Sequence, residues 1–164
     1  EIEEKREEVK EQRNETREKR EEVKDERREK LKEAAWKRVT AEVEKITRRL
    51  NQAVERLEKI SARIASRIDK MVASGRSIGD AKALLVTANG KIAEAKTAVS
   101  NVVVALETAK AASSTPKTAF EAVKTAVRTA QESVKTANQS LIAVLRELSQ
   151  GEENRATTTP STVQ

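Results

Sequence analysis

The chain has 164 residues, 33 basic and 27 acidic side chains, a formal net charge of +6, and no Cys or His. It therefore has no disulfide, no thiolate or imidazole metal ligand, and neither of the side chains that most readily act as nucleophile and general base at neutral pH. One Trp, one Phe, no Tyr and very few Gly or Pro exclude a thick aromatic core and leave a thin aliphatic one, which suits helices packed side by side.

Residues 1–35 are dominated by charge. The stretch KREEVKEQR at 5–13 recurs as KREEVKDER at 19–27. In this frame Ile2, Val9, Thr16 and Val23 hold one equivalent position, seven residues apart. One apolar residue per heptad is half of a coiled-coil seam. The segment carries 12 basic and 14 acidic side chains, so its charges nearly cancel. Pairs at helical spacing, Glu1 with Lys5, Glu15 with Lys19, Glu21 with Lys24 and Glu26 with Lys30, contribute about 0.2 to 0.5 kcal/mol each. They predict a helix running unbroken into the next segment, about 70 residues and roughly 105 Å long, which would outreach its own bundle by about 50 Å. Carboxylates interleaved in this way with Lys and Arg do not converge on a cation, so the segment reads as solvated ion pairs with no metal or cofactor site.

From Trp36 the apolar pattern becomes periodic. Trp36, Val39, Val43, Ile46, Leu50, Ala53, Leu57, Ile60, Ile64 and Met71 advance in steps of three and four, with Arg67 interrupting the stripe beside Ile68. SGRSIGD at 74–80 breaks the helix and offers Ser77 or Asp80 as the next cap. It lacks the Lys and the preceding strand of a phosphate loop. A second stripe follows with Ile78, Ala81, Leu85, Ala88, Ile92, Ala95, Val99, Val102, Leu106 and Ala109, weakened at Gly90. SSTP at 113–116 punctuates again, with Thr115 or Ser114 as cap and Pro116 suited to the first helical position. The third stripe is Phe120, Val123, Val127, Ala130, Val134, Ala137, Leu141, Val144 and Leu148. Gly151 reads as the end of that helix, ahead of a Thr-rich Ser/Thr/Pro tail at 151–164.

The predicted fold is all-α. A charged helical extension at 1–35 leads into an antiparallel, up-down-up, coiled-coil-like bundle at 36–150, with helices at about 36–74, 78–112 and 116–150. No segment is apolar enough to cross a bilayer.

With no catalytic constellation, the informative residues are those the predicted bundle leaves outside. Val86, Val104 and Ile142 fall on outward faces among Ala, Ser and Thr rather than charge, including the recurring Thr97, Thr108, Thr118, Thr125, Thr129 and Thr136. Together with Ile2, Val9 and Val23 they make the candidate assembly interface, and the partner they imply is another copy of the chain. Arg49, Arg56, Arg63 and Lys70 recur every seven residues as a candidate basic stripe able to follow phosphates. Their aliphatic stems equally suit the edges of a helical seam, no aromatic residues are interleaved for base stacking, and Glu42, Glu55 and Glu58 lie nearby.

RLNQAVERLEKISARIASRIDKM at 49–71, a Gly-containing turn, and AKALLVTANGKIAEAKTAV at 81–99 together resemble a set of exported helical-bundle proteins of the candidate-phyla-radiation bacteria (Patescibacteria). Those proteins also begin with a helix rich in Lys, Arg and Glu and continue into a helical hairpin. The resemblance covers roughly residues 5–110, and it implies export and an envelope or extracellular setting without implying an activity. The chain begins at Glu1 rather than Met, which fits a removed signal peptide and equally fits a trimmed chain. The expectation is a non-enzymatic structural protein without cofactor or small-molecule substrate, self-assembling as the subunit of an extracellular or cell-surface filament. A helical spacer or adaptor for an envelope component or another helical protein stands second, and a nucleic-acid-binding protein using the basic stripe third.

Overall fold

The computed structural model describes residues 2–112 and 115–156. They form three helices, α1 (Ile2–Ala73), α2 (Ala81–Ala111) and α3 (Pro116–Ala156), and among the described residues there is no strand. The chain divides into two compact units, the first ending at Ala41 and the second beginning at Glu42.

The first unit is helix alone. Through Ala34 its described side chains are all exposed, so no core supports that stretch, and beyond it Ala35, Trp36, Val39 and Thr40 are half-buried. Its stability lies in the helical ladder and in surface pairs, including Lys19 to Glu15 at 2.7 Å and Lys30 to Glu26 at 2.6 Å, both at the expected spacing. Glu21 is held by Arg17 at 3.5 Å rather than by Lys24. Such exposed pairs contribute about 0.3 to 0.5 kcal/mol each.

In the second unit the three helices bury one aliphatic core, forming a helical bundle. Glu58 of α1 meets Lys96 of α2 at 3.0 Å, and Ser61 hydrogen-bonds Asn89. Numbers fall on one helix as they rise on the other, so α1 and α2 run antiparallel. Glu147, near the end of α3, accepts the N–H of Asp80 at the start of α2 at 3.3 Å, which sets α3 antiparallel to α2 as well.

The α1 stripe differs from the expected one. Val43, Leu57, Ile64 and Met71 are buried, and Leu50 is half-buried, as the spacing predicts. Between them, however, the core takes Thr47, Val54, Ser61 and Ile68, each one residue later than Ile46, Ala53, Ile60 and Arg67. Ile46 and Ala53 are left half-buried at the edge and Ile60 is 38% exposed. Both sets keep the seven-residue recurrence, but the buried one contains two hydroxyls, so apolarity alone selected the wrong flank. The shift also explains Arg67: Ile68, not Arg67, occupies the inward position.

The α2 stripe matches expectation from Ala81 to Ala109, with Ala98 added and Ile78 half-buried in the turn before the helix. On α3, Val123, Val127, Ala130, Ala137, Leu141, Val144 and Leu148 are buried and Val134 is half-buried. Phe120 is not in the core. It is 40% exposed, and Ala119 takes the inward position at 1%. Steps of three and four both return to the same helix face, and ahead of Val123 the step of four is used.

The helix ends follow local chemistry. After α1, Gly75 adopts φ +64° while its N–H reaches the carbonyl of Val72 at 3.0 Å and that of Arg76 reaches Met71 at 2.9 Å, the paired bonds of a Schellman cap. Asp80 stands at the N-cap of α2 without a side-chain cap bond. The Glu147 carboxylate supplies negative charge there instead, and it lies so close over Gly79 that a Cβ would collide with it. Thr115 caps α3 through Oγ1, which accepts the Thr118 N–H at 3.3 Å, and Pro116 opens the helix. Gly151 does not end α3, which continues to Ala156. A helix tolerates an interior Gly at about 1 kcal/mol relative to Ala, and the Glu152, Glu153 and Arg155 that follow are good helix formers. The remainder of the expected tail, residues 157–164, lies outside the described residues.

Two substitutions check this account. The Thr47 hydroxyl is buried without a hydrogen-bond partner, so Thr47→Val is expected to raise unfolding stability by about 1 kcal/mol in chemical denaturation. Gly75→Ala meets no neighbouring atom yet is expected to lower stability by about 1 kcal/mol, the cost of a left-handed L-residue.

Candidate assembly interface

In the first unit Ile2, Val9 and Val23 project into solvent, each more than half exposed. Their seven-residue spacing places them near one line along α1, because seven residues close to within about 20° of two turns. Leu31, 66% exposed, was missed. It sits one residue outside the seven-residue frame, eight residues on from Val23, which at about 100° per residue places it roughly 80° around the helix from Val23. The shallow groove beside Ile2 and Val9 is walled by Lys5, Arg6, Lys10 and Arg13, and the next one by Arg13, Arg17 and Arg20 with Gln12 and Thr16. Each lies on a single helix. Without an opposing wall, such a groove can accept another helix but cannot enclose a small molecule.

In the second unit Val86 and Val104 are 70% and 60% exposed on α2, and Ile142 is 38% exposed on α3. Val86 and Val104 are separated by 18 residues, five whole turns, so they stand directly in line. Gly90, Ala93 and Thr97 lie along the same face. The hydroxyls there and on α3 turn inward onto their own backbones: Thr97 donates to the Ala93 carbonyl at 3.1 Å, Thr129 to Thr125 at 3.1 Å and Ser140 to Thr136 at 3.0 Å. A hydroxyl satisfied in this way leaves the Thr methyl outward and demands less water. The exposed apolar set also includes Val103, Phe120 and Leu145. Phe120 was missed because its spacing assigned it to the core.

Arg49, Arg56, Arg63 and Lys70 are all exposed and keep their seven-residue spacing on α1. Glu58, beside them, is engaged by Lys96. Among the described residues no helix is long and apolar enough to cross a membrane, and no group of three or more carboxylates is arranged to hold a metal ion. Comparison with protein-family models, curated proteins and solved structures returns no match.

Lys37 hydrogen-bonds Glu33 at 2.8 Å. That hydrogen bond, and secondarily the attraction of opposite charges, holds the Glu33 carboxyl below the ordinary carboxylate range and raises the Lys37 ammonium above its ordinary value. For Glu33 the contribution is full above the unfolded carboxyl value and is lost as pH falls through the lowered folded one. For Lys37 it is full below the unfolded ammonium value and is lost as pH rises through the raised folded one. The helical circular dichroism of the full chain is therefore expected to fall slightly on acidification through the carboxylate range, and Glu33→Gln should remove the part due to this pair.

Proposed function

We propose that the protein is a non-enzymatic structural subunit that self-assembles through its helices, as the building block of an extracellular or cell-surface filament. The observation that carries this reading is the line of exposed Ile2, Val9 and Val23 on a helix whose own unit offers nothing to cover them. A regularly repeated apolar side chain on a bare helix gains stability only when another helix lies against it. The in-line Val86 and Val104, set among small uncharged residues, supply a second surface of the same character.

In this reading the helices pack in coiled-coil fashion within the up-down-up bundle and between copies, with the left-handed supercoil that a seven-residue period favours. A contact that joins two different patches of the same chain, and does not close into a ring, propagates as a fibre. The resemblance of residues 5–110 to exported helical proteins supports placing the assembly outside the cell.

The test is sedimentation of the purified chain across a concentration series. The wild type should form large particles or filaments at high concentration. Val9→Asp combined with Val23→Asp should abolish them while leaving the second unit folded, because both positions lie in the first unit. A wild-type chain that stays monomeric at the highest concentration would sink the proposal.

A further inference from the structure

Although the charges of the first unit nearly cancel in number, they do not cancel in space. Ile2, Val9, Thr16 and Val23 fill one position of the seven-residue frame, and Arg6, Arg13, Arg20 and Arg27 fill the position four residues on. The two sets interleave in steps of four and three, so they form one continuous stripe. The missing half of the apolar seam is thus occupied by arginine. Glu8, Glu11, Glu15, Glu18, Glu22 and Asp25 advance in steps of three and four along a second stripe. At about 100° per residue, Glu18 and Glu22 each lie roughly 160° around the helix from Arg20, so this stripe runs along the opposite side.

The side-chain geometry agrees with the spacing. The grooves beside Ile2, Val9 and Thr16 are walled by Lys, Arg and Gln, with no carboxylate among their lining residues. Among the described residues none of the four stripe arginines forms an ion pair within its own chain. The in-chain pairs belong instead to flanking cations such as Lys19, Arg28, Lys30 and Lys32. The central guanidinium groups are therefore exposed and uncommitted, on either side of exposed valines.

This arrangement decides how two copies can meet. If the valine stripe of one copy packed against the same stripe of another, four arginines from each side would be brought together, and such like-charge contacts cost several kcal/mol. The carboxylate stripe has the opposite sign and the same seven-residue recurrence, about 10.5 Å along the helix. Arg and carboxylate then match at every repeat, and Arg is well suited to grip carboxylates in pairs of hydrogen bonds.

We propose that the arginine–valine face of the first unit docks on the glutamate face of the first unit of a second copy, in a head-to-tail manner. The contact is heterologous: each copy presents one face and uses the other, so association continues from copy to copy rather than stopping at a dimer. This inference rests on the self-assembly reading and supplies its contact and its polarity.

Two full-length variants test it. In one, Arg13→Glu, Arg20→Glu and Arg27→Glu make both faces acidic. In the other, Glu8→Lys, Glu11→Lys, Glu15→Lys, Glu18→Lys and Glu22→Lys make both faces basic. The wild type should assemble at low ionic strength and dissociate as salt rises. Each variant alone should raise the concentration needed for assembly by at least about tenfold, the equivalent of some 1.4 kcal/mol. An equimolar mixture of the two should restore assembly, a result that also shows both variants remain competent to fold. If the lysine variant assembles as well as the wild type, the glutamate face is not used and the inference is overturned while self-assembly stands. Salt-insensitive assembly of the wild type, or failure of the mixture to recover, overturns it in the same way. A wild type that remains monomeric overturns both readings. So does a monomeric wild type that binds only nucleic acid or anionic vesicles, which would give this face to another partner.

Discussion

The constraint on which the structure depends is the seven-residue recurrence of side chains along its helices. Seven residues fall about 20° short of two full α-helical turns, so a repeated side chain draws a nearly straight line. The second unit spends that line on burial: Leu57, Ile64 and Met71 on α1 face the core with the Ala and aliphatic layers of α2 and α3. The first unit repeats the same spacing with Ile2, Val9 and Val23 and leaves it in water. In the second unit burial of each large aliphatic side chain contributes about 1.5 to 3 kcal/mol. The first has only its backbone ladder and weak surface pairs, so packing with another helix offers it the larger gain.

Alanine and the hydroxyl residues set how closely helices can approach. On α2, Ala81, Ala88, Ala95 and Ala109 are buried at intervals with Leu85, Ile92, Val99, Val102 and Leu106, so narrow and wide layers alternate through the core. Such interdigitation fills space without aromatic rings. Outward, small residues on the same helix give a surface with little charge, and the back-bonded hydroxyls of Thr97, Thr129 and Ser140 make few demands on solvent. The Glu147 carboxylate over Gly79 and Asp80 ties the last turns of α3 to the first of α2, which positions that surface.

Three helices, their turns and nearly all of the α2 stripe were legible from spacing and from Gly and Pro. Three details were not, because residue type misled at two of them and a step of three at the other. Thr47 and Ser61 concealed half of the α1 stripe, since polar residues at inward positions made the neighbouring Ile46 and Ile60 look like the better choice. Phe120 looked like core because it stands three residues ahead of Val123 on the expected stripe, whereas the packing admitted the methyl of Ala119, four residues ahead. Gly151 looked like a stop, but a glycine ends a helix only where the chain takes up a capping turn, as Gly75 does with its paired bonds to Val72 and Met71. On the candidate interface, counting charges hid the segregation of arginine from glutamate. Placing each residue on its side of the helix reveals it.

In the proposed assembly, the basic apolar stripe on one side of the bare helix meets the acidic stripe of another copy. Electron microscopy of the purified chain, concentrated at low ionic strength, tests this central claim most directly. The account predicts filaments, or large particles of uniform width built from repeated copies. A field of separate small particles under those conditions would contradict it.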